Sequence, residues 1–419
     1  MKKAGLFKIR ILLFCLAVLL AGLIMVACND RGDEPEPADP YPVQIDPSVV
    51  YQIIRGFGGA TVFTPAGGLP NQSEMNDLFG HGDGQVGLSI LRIRVASDDD
   101  ATWRATELNH ALLAKANGAI VIASPWSPPV RMKTNGSLID GTIKADSYQD
   151  YANYLNDFAR YMADNGAGLY AISVQNEPDI AVTYESCSWT SAQMRDFLKG
   201  YGQLITNAKV IVPESFNFSQ TFTNVILDDN DAAANVDIVG GHIYGGGLED
   251  YPKAREKGKE LWMTEHLDTD ITYEKVLATG KEIHDCMTVG QYNAYLWWYL
   301  KRFYGPMGED GVVTKRGWIM ANYSKFVQPG YSRIYATVNP KPDIYISAYN
   351  GNKLIIVALN MSVADRQQTF NFKNITAQGY IPYTTSETLN LSQGTSGTIT
   401  GDSFKYTLPA KSVTTFVVE

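Results

Sequence analysis

The 419-residue chain carries a formal net charge of −9 and, after residue 10, no block of Lys or Arg, which argues against a nucleic-acid partner. Its 24 Tyr and 7 Trp beside only 19% charged residues suit a surface that packs on the C–H faces of sugars while hydroxyl and ring N–H groups keep polar contacts. An ordinary aromatic core would use the same residues, so composition alone does not choose.

The chain opens with a basic stretch (Lys2, Lys3, Lys8, Arg10) and an apolar run over 11–26, shorter than the roughly 20 residues a membrane span requires. The run ends in Met25, Val26, Ala27 and Cys28. A positive start, an apolar middle and a small residue before the cut are the layout of a secretory signal. The Cys directly after Ala27 reads as a bacterial lipobox. Residues 1–28 are therefore expected to be a lipoprotein leader with Cys28 lipidated, anchoring the protein in the cell envelope, at the outer membrane of a Gram-negative bacterium. The acidic, Pro-containing stretch 29–41 lacks apolar periodicity and is expected to be a solvated tether.

Residues 42–55 read as a strand lent to a β-domain formed mainly by the far end of the chain. From 56 onward one pattern repeats: a short apolar, β-rich run, a polar residue or Gly, then a longer helical stretch. The runs are 56–61, 88–95, 119–126, 169–177, 209–214, 236–244, 260–265 and 294–300, with helices expected between them, for instance over 147–165 and 191–207. Eight such units fit an α/β fold of the (β/α)8 TIM-barrel type, usually about 250 residues. A doubly wound sheet would want a Gly-rich phosphate turn after its first strand. Gly56-Phe57-Gly58-Gly59 lacks that spacing. The barrel is placed at 56–328. Beyond it, short alternating runs (343–349, 353–360, 368–372, 412–418) separated by turn residues predict an all-β side domain over 329–419, a β-sandwich.

A barrel carries its chemistry at the C-terminal ends of its strands, and those ends are loaded. Arg92 and Arg94 close the second run, Trp126 the third, Asn176 and Glu177 the fourth, Glu214 the fifth. His242 and Tyr244 close the sixth, Glu265 the seventh, Trp297 and Trp298 the eighth. Two carboxylates across one barrel mouth are what glycoside hydrolysis needs: one to attack the anomeric carbon, one to protonate the leaving oxygen. Glu177 and Glu265 are the expected catalytic pair. Glu214 is a rival better suited to support. Asn176, beside Glu177, suits a hydrogen bond to a sugar 2-hydroxyl, and Trp103 and His242 join Trp126 as candidate sugar contacts.

These stretches match a known pattern: 55–59 (Arg-Gly-Phe-Gly-Gly), 88–95 (Leu-Ser-Ile-Leu-Arg-Ile-Arg-Val), 123–129 (Ala-Ser-Pro-Trp-Ser-Pro-Pro), 169–179 around Gln-Asn-Glu-Pro, 261–265 (Leu-Trp-Met-Thr-Glu), 297–299, 315–317 and 412–418. From Gly56 to Glu419 the chain resembles the family 30 glycoside hydrolases, and within them the bacterial endo-xylanase and glucuronoxylanase branch. The resemblance implies a barrel with a side β-domain and a retaining endo-β-1,4-xylanase. It makes Glu177 the acid/base and Glu265 the nucleophile, with Arg92 and Tyr244 orienting Glu265. Trp126 and Trp297 would form the floor and wall of the sugar site. Xylan is the implied partner, and the enzyme is expected to act as a monomer.

One departure bears on specificity. Glucuronoxylan-specific relatives carry a longer loop after the nucleophile, with an Arg to grip the uronate. Here 266–273 is short and acidic, with Asp268 and Asp270 and no Arg. Cleavage without strict glucuronate dependence is therefore expected. A glucuronoxylan-specific xylanase or action on another β-linked glycan, and a surface glycan-binding protein without catalysis, are the alternative readings. The latter is disfavoured because both carboxylates are present. No Cys/His cluster has metal-ligand spacing, so neither metal nor cofactor is expected. Cys187 and Cys286 could pair but share no spacing motif.

Overall fold

The first strand, β1 (Val43–Ile53), leads directly into eight parallel strands that close into a barrel: β2 (Gly56–Ala60), β3 (Ile90–Val95), β4 (Ile120–Pro125), β5 (Ala171–Ser173), β6 (Lys209–Ser215), β7 (Ile238–His242), β8 (Glu260–Glu265) and β9 (Ala294–Tyr299). The computed structural model describes residues 39–64, 67–97 and 100–419. The leader with Cys28, and residues 29–38 of the expected tether, lie outside the described residues. Among the described residues no helix is long and apolar enough to cross a membrane.

Alternation along each strand sorts the barrel into two layers of side chains. Ile90, Ile122, Ala171, Ile211, Ile238, Trp262, Ala294 and Leu296 meet in the lumen. Their neighbours Leu91, Val121, Ile172, Val210, Val239, Leu261 and Tyr295 face outward to the helices. Strands this thoroughly covered read as continuous apolar runs. Gly58 is required by close approach: a Cβ there would lie 1.9 Å from the Ile90 carbonyl oxygen, on the neighbouring strand.

The outer layer is α1 (Gln72–Phe79), α2 (Ala101–Ala116), α3 (Tyr148–Asp164), α4 (Ser191–Tyr201), α5 (Gln220–Leu227), α6 (Asn230–Ala234), α7 (Pro252–Glu256), α8 (Tyr273–Thr288) and α9 (Lys315–Ser324). Helix α3 buries Tyr151, Leu155, Phe158 and Met162 along one face, spaced three or four residues apart. Helix α4 starts at a capping box, Thr190 with Gln193. It stops at Tyr201 and tightens into a 3-10 turn, short of the expected 207. Gly200 and Gly202 weaken a helix there.

The side domain holds β10 (Ser332–Ala336), β11 (Ile344–Asn350), β12 (Leu354–Asn360), β13 (Arg366–Phe372), β14 (Gly379–Thr385), β15 (Ser392–Gln393), β16 (Gly397–Thr398), β17 (Ser403–Leu408) and β18 (Ser412–Val418). Strand β1 pairs antiparallel with β10 and parallel with β13. The expected sandwich is built from a single sheet of ten strands, ordered β15-β14-β18-β12-β11-β10-β1-β13-β17 with β16 on β14. That sheet curls until its two ends face each other: Tyr380 of β14 stacks on Phe404 of β17 at 4.2 Å between centroids. Strand twist accumulates across so many strands and lets one sheet enclose its own core. The opposite face docks on the barrel. Ile355, Val357, Leu359 and Val413 belong to the same continuous core as the helices. Of the side-domain tyrosines, Tyr349 is fully buried in that core and Tyr345 lies against His284 of α8. They serve packing on the barrel.

Candidate active site

Three strand ends at one mouth of the barrel depart from regular pairing. An extra residue is inserted at Glu214 in β6, at Thr264 in β8 and at Trp298 in β9. Bulges re-aim the side chains that follow them. In β8, strict alternation from Trp262 and Thr264 in the lumen would turn Glu265 outward; the bulge returns it to the mouth, paired in register with His242. Glu177 gets there differently. It sits just beyond β5 with φ +46°, and its amide donates to the Glu214 carbonyl at 3.0 Å. A left-handed non-glycine residue costs about 1 kcal/mol or more and persists where the surroundings hold it.

The two carboxylates face one another. One oxygen of Glu177, one of Glu265 and a ring nitrogen of His242 all lie within 4.8 Å of one another. Arg92, fully buried, reaches across: Nη1 donates to Glu265 Oε2 at 2.5 Å, Nη2 to Asn176 Oδ1 at 2.7 Å and Nε to Ser124 Oγ at 3.1 Å. Tyr244 donates its hydroxyl to the other oxygen of Glu265 at 3.0 Å. Glu177 is held by His242 Nδ1 at 2.9 Å and by the Tyr184 hydroxyl at 3.2 Å. Glu214 is fully buried behind them, 3.3 Å from Arg92 Nη2, and does not reach the cleft. Burial alone would raise its pKa, but Arg92 and His242 outweigh that and hold it below the usual carboxylate value. It is an ionised counter-charge for Arg92.

Burial, with the Glu177 charge beside it, pushes the Glu265 carboxyl up, against the pull of His242 and Arg92. Burial disfavours a charged His242, yet the Glu265 charge and the bond to Glu177 outweigh it, and its pKa rises above the usual imidazole value. The cluster therefore holds a proton readily, and geometry decides where. Glu265 is capped by a guanidinium that accepts no proton and by a phenol that donates its own. Glu177 faces an imidazole that can share one. The imidazole of His242, with its raised pKa, is the group placed to carry a proton there.

Glu177, His242 and Glu265 offer an oxygen, nitrogen, oxygen set of metal-binding type. The permanently charged Arg92 stands 2.5 Å from Glu265 and places a positive charge where a cation would bind, so the set does not suit one.

A cleft of about 480 Å3 opens above the acids. Trp126 forms its floor, flanked by Phe63 and Trp298 at 5.3 and 5.7 Å between centroids, with the Arg92 guanidinium beneath at 4.9 Å. Tyr244 and Phe216, stacked at 5.1 Å, line the cleft with Tyr299 and Leu267.

Of the residues expected from sequence, Arg92, Trp126, Asn176, Glu177, His242, Tyr244 and Glu265 converge here. Trp297 does not. It is buried among the outer side chains under the Arg316 guanidinium, 4.5 Å away, and the wall is its neighbour Trp298. Adjacent strand residues face opposite ways, and the Trp-Trp doublet gave no clue which one turned in. Trp103 also misses the cleft, sitting on α2 with the Arg94 guanidinium over its ring. Tyr184, Glu185, Phe63 and Phe216 line the cleft from loops, where no periodicity marks them. Cys187 and Cys286 are both free and buried.

Sugar-sized, aromatic-floored and armed with two opposed acids, such a barrel mouth defines the class as glycoside hydrolase. Comparison with known proteins narrows this. The family model described as the glycosyl hydrolase family 30 TIM-barrel domain matches residues 86–265. The chain is 43% identical over 391 residues to "Glucuronoxylanase XynC" of Bacillus subtilis strain 168, covering 90% of this chain and 91% of that one. Among solved structures it is similar to the family 30 subfamily 8 xylanase Xyn30A from Clostridium acetobutylicum (TM-score 0.86, 40% identity, 90% of this chain, 100% of that one). A family 30 endoxylanase from Clostridium papyrosolvens C71 gives 0.83 and 39%, with 90% and 100% covered. This chain belongs to glycoside hydrolase family 30.

Proposed function

We propose that this protein is a retaining endo-β-1,4-xylanase acting by double displacement. The observation that carries the mechanism is the short approach of Glu177 and Glu265, with oxygens within 4.8 Å. Retaining pairs stand about 5–5.5 Å apart, whereas inverting pairs leave about 6.5–9.5 Å for a water. In the first step a Glu265 oxygen attacks the anomeric carbon while Glu177 gives its proton to the departing glycosidic oxygen. In the second, Glu177 takes a proton from water, and that water's oxygen displaces Glu265. Arg92 and Tyr244 keep Glu265 aimed, and Arg92 opposes the upward push of burial on its carboxyl. His242 and Tyr184 steady Glu177, and Asn176, fixed by Arg92, faces the sugar hydroxyls. The names of the relatives favour xylan. The test is digestion of a panel of xylans and β-glucans with product masses and anomeric NMR. Release of β-configured xylo-oligosaccharides supports the reading; α-configured initial products would sink the mechanism.

Cleavage without strict glucuronate dependence is supported by the loop after β8. Asp268 and Asp270 there accept backbone amides of their own loop and present negative charge. The opposite reading, cleavage guided by a uronate, is favoured by the Bacillus subtilis name and by Arg302, just beyond β9, whose guanidinium is paired with Glu309. Efficient cutting of undecorated xylan supports the first; products that all end at a fixed distance from a uronate support the second.

The enzyme is further proposed to be anchored through lipid on Cys28 and to work as a monomer, since one chain completes the cleft. Cys28→Ser should move it from the membrane to the soluble fraction, and light scattering in detergent should give the mass of one chain.

A further inference from the structure

The loop that follows Glu177 returns to the cleft at Tyr184, which lines it and is 49% exposed. Its backbone is fixed. The Tyr184 carbonyl accepts the Ser186 hydroxyl at 2.9 Å, and Ser186 Oγ in turn accepts the Asp140 amide at 2.9 Å. Ser186 N donates to Leu138 O at 2.9 Å, and the buried Lys133 ammonium binds the Ser186 carbonyl. The phenol donates to Glu177 Oε2 at 3.2 Å, while the buried His242 takes the other oxygen, Oε1. Oε2 is therefore the oxygen of Glu177 left to work on the cleft side. Burial and the charges of Glu177 and Glu265 hold the Tyr184 phenol well above its ordinary pKa, so it stays a neutral hydroxyl through the reaction.

A hydroxyl that gives its one hydrogen to Glu177 can still accept another on its lone pairs. Tyr184 Oη and Glu177 Oε2 are 3.2 Å apart, so a single water fits about 2.8 Å from both. Donating one hydrogen to each, such a water keeps a lone pair free for the anomeric carbon. We propose that Tyr184 orients the water of the second step, accepting the hydrogen that Glu177 does not take. This rests on the double-displacement reading above and assigns a residue within it. The step balances. The water oxygen bonds to the anomeric carbon, and the ester bond to Glu265 breaks with its electron pair returning to that carboxylate. One proton passes to Glu177 Oε2; the other stays on the new anomeric hydroxyl, on Tyr184. In the first step the leaving oxygen carries a carbon at that position, and so does any alcohol that attacks in place of water. The contact is particular to water, and it favours hydrolysis over transfer to a second sugar.

The test compares wild type with Tyr184→Phe on a dinitrophenyl β-xylobioside, whose leaving group needs no proton, so that the second step limits turnover. Methanol is added as a competing acceptor. Circular dichroism and thermal midpoints establish that the variant folds. Its kcat should fall about tenfold with the burst of released phenol retained, and the ratio of methyl xylobioside to xylobiose should rise about fivefold. An unchanged ratio in the folded variant would overturn the proposal whatever happens to kcat, and would make Tyr184 a prop for Glu177. Initial products of α configuration from wild type would overturn the two-step reading and this proposal with it. β-Configured products with an unchanged ratio would overturn this proposal alone. If wild type cuts another β-glycan instead of xylan, the aryl glycoside of that disaccharide gives the same readout.

Discussion

Each oxygen of Glu265 has its own donor, Arg92 on one and Tyr244 on the other, so replacing the carboxylate removes the attacking atom without emptying the cleft. Glu265→Ala is expected to lower kcat by at least about 10⁴-fold while xylan binding stays within a few-fold of wild type, read by single-turnover kinetics and affinity electrophoresis. His242, holding Glu177 at 2.9 Å, is expected to set the basic side of the pH–rate profile. His242→Asn should abolish that limb, because the buried imidazole whose raised pKa sets it is then gone. Glu107, on α2, is buried beneath the cleft with the Arg94 amide as donor at 3.1 Å. Burial raises its pKa from 4.5 to about 8, only partly offset by Arg94. Between those values the folded protein keeps a proton that the unfolded chain has shed, so stability falls as pH climbs through that window. At pH 7 the cost is on the order of 3 kcal/mol. Glu107→Gln, which keeps an acceptor for the amide, should match wild type near pH 4.5 and unfold at a higher temperature near pH 8.

At the scale of elements, the loop 266–272 that closes one side of the cleft is held from behind. Arg316 of α9 donates to the Asp268 carbonyl at 3.0 Å, the Asp270 carbonyl at 2.9 Å and the Tyr304 carbonyl at 2.5 Å, and stacks over Trp297. Trp297 lies under the cation that ties the cleft loop 266–272 to the loop that carries Tyr304. Arg316→Ala leaves those carbonyls without their donor and should cost about 2–4 kcal/mol. It should also raise hydrogen exchange across 266–272 and lower kcat/KM. An unchanged exchange pattern would detach Arg316 from the loop. The strand bulges matter on the same scale, because those in β8 and β9 turn Glu265 and Trp298 toward one cleft.

For the molecule as a whole, barrel and side domain share one core. Thr415 of β18 donates to the Asn322 carbonyl of α9 at 2.7 Å, and Asn322 donates to Thr385 of β14 at 2.6 Å, all buried. Thermal unfolding should therefore show one transition. Residues 42–328 made alone would expose the apolar face of α8 and α9 and are expected to be insoluble. His284 of α8 sits in this interface with its pKa depressed from 6.5 to about 3, chiefly by burial and further by Lys281 and Arg333. Below about 6.5 the unfolded chain takes up a proton that the folded chain refuses, so the interface loses stability as pH falls toward 3, at up to about 1.4 kcal/mol per pH unit. Two transitions at neutral pH would contradict a shared core.

The sequence by itself determined the barrel. Eight apolar runs at crossover spacing leave one economical closure, and function at strand ends follows from it, which is how Glu177, Glu265, Arg92, Asn176, His242 and Tyr244 were legible. Trp298 in place of Trp297, the curled single sheet in place of two, and the loop residues Tyr184, Glu185, Phe63 and Phe216 were decided only in three dimensions. A repeating pattern reports local backbone period and burial. A bulge, the accumulated twist of a sheet and the meeting of two loops depend on partners far away in the chain, and no local pattern carries them.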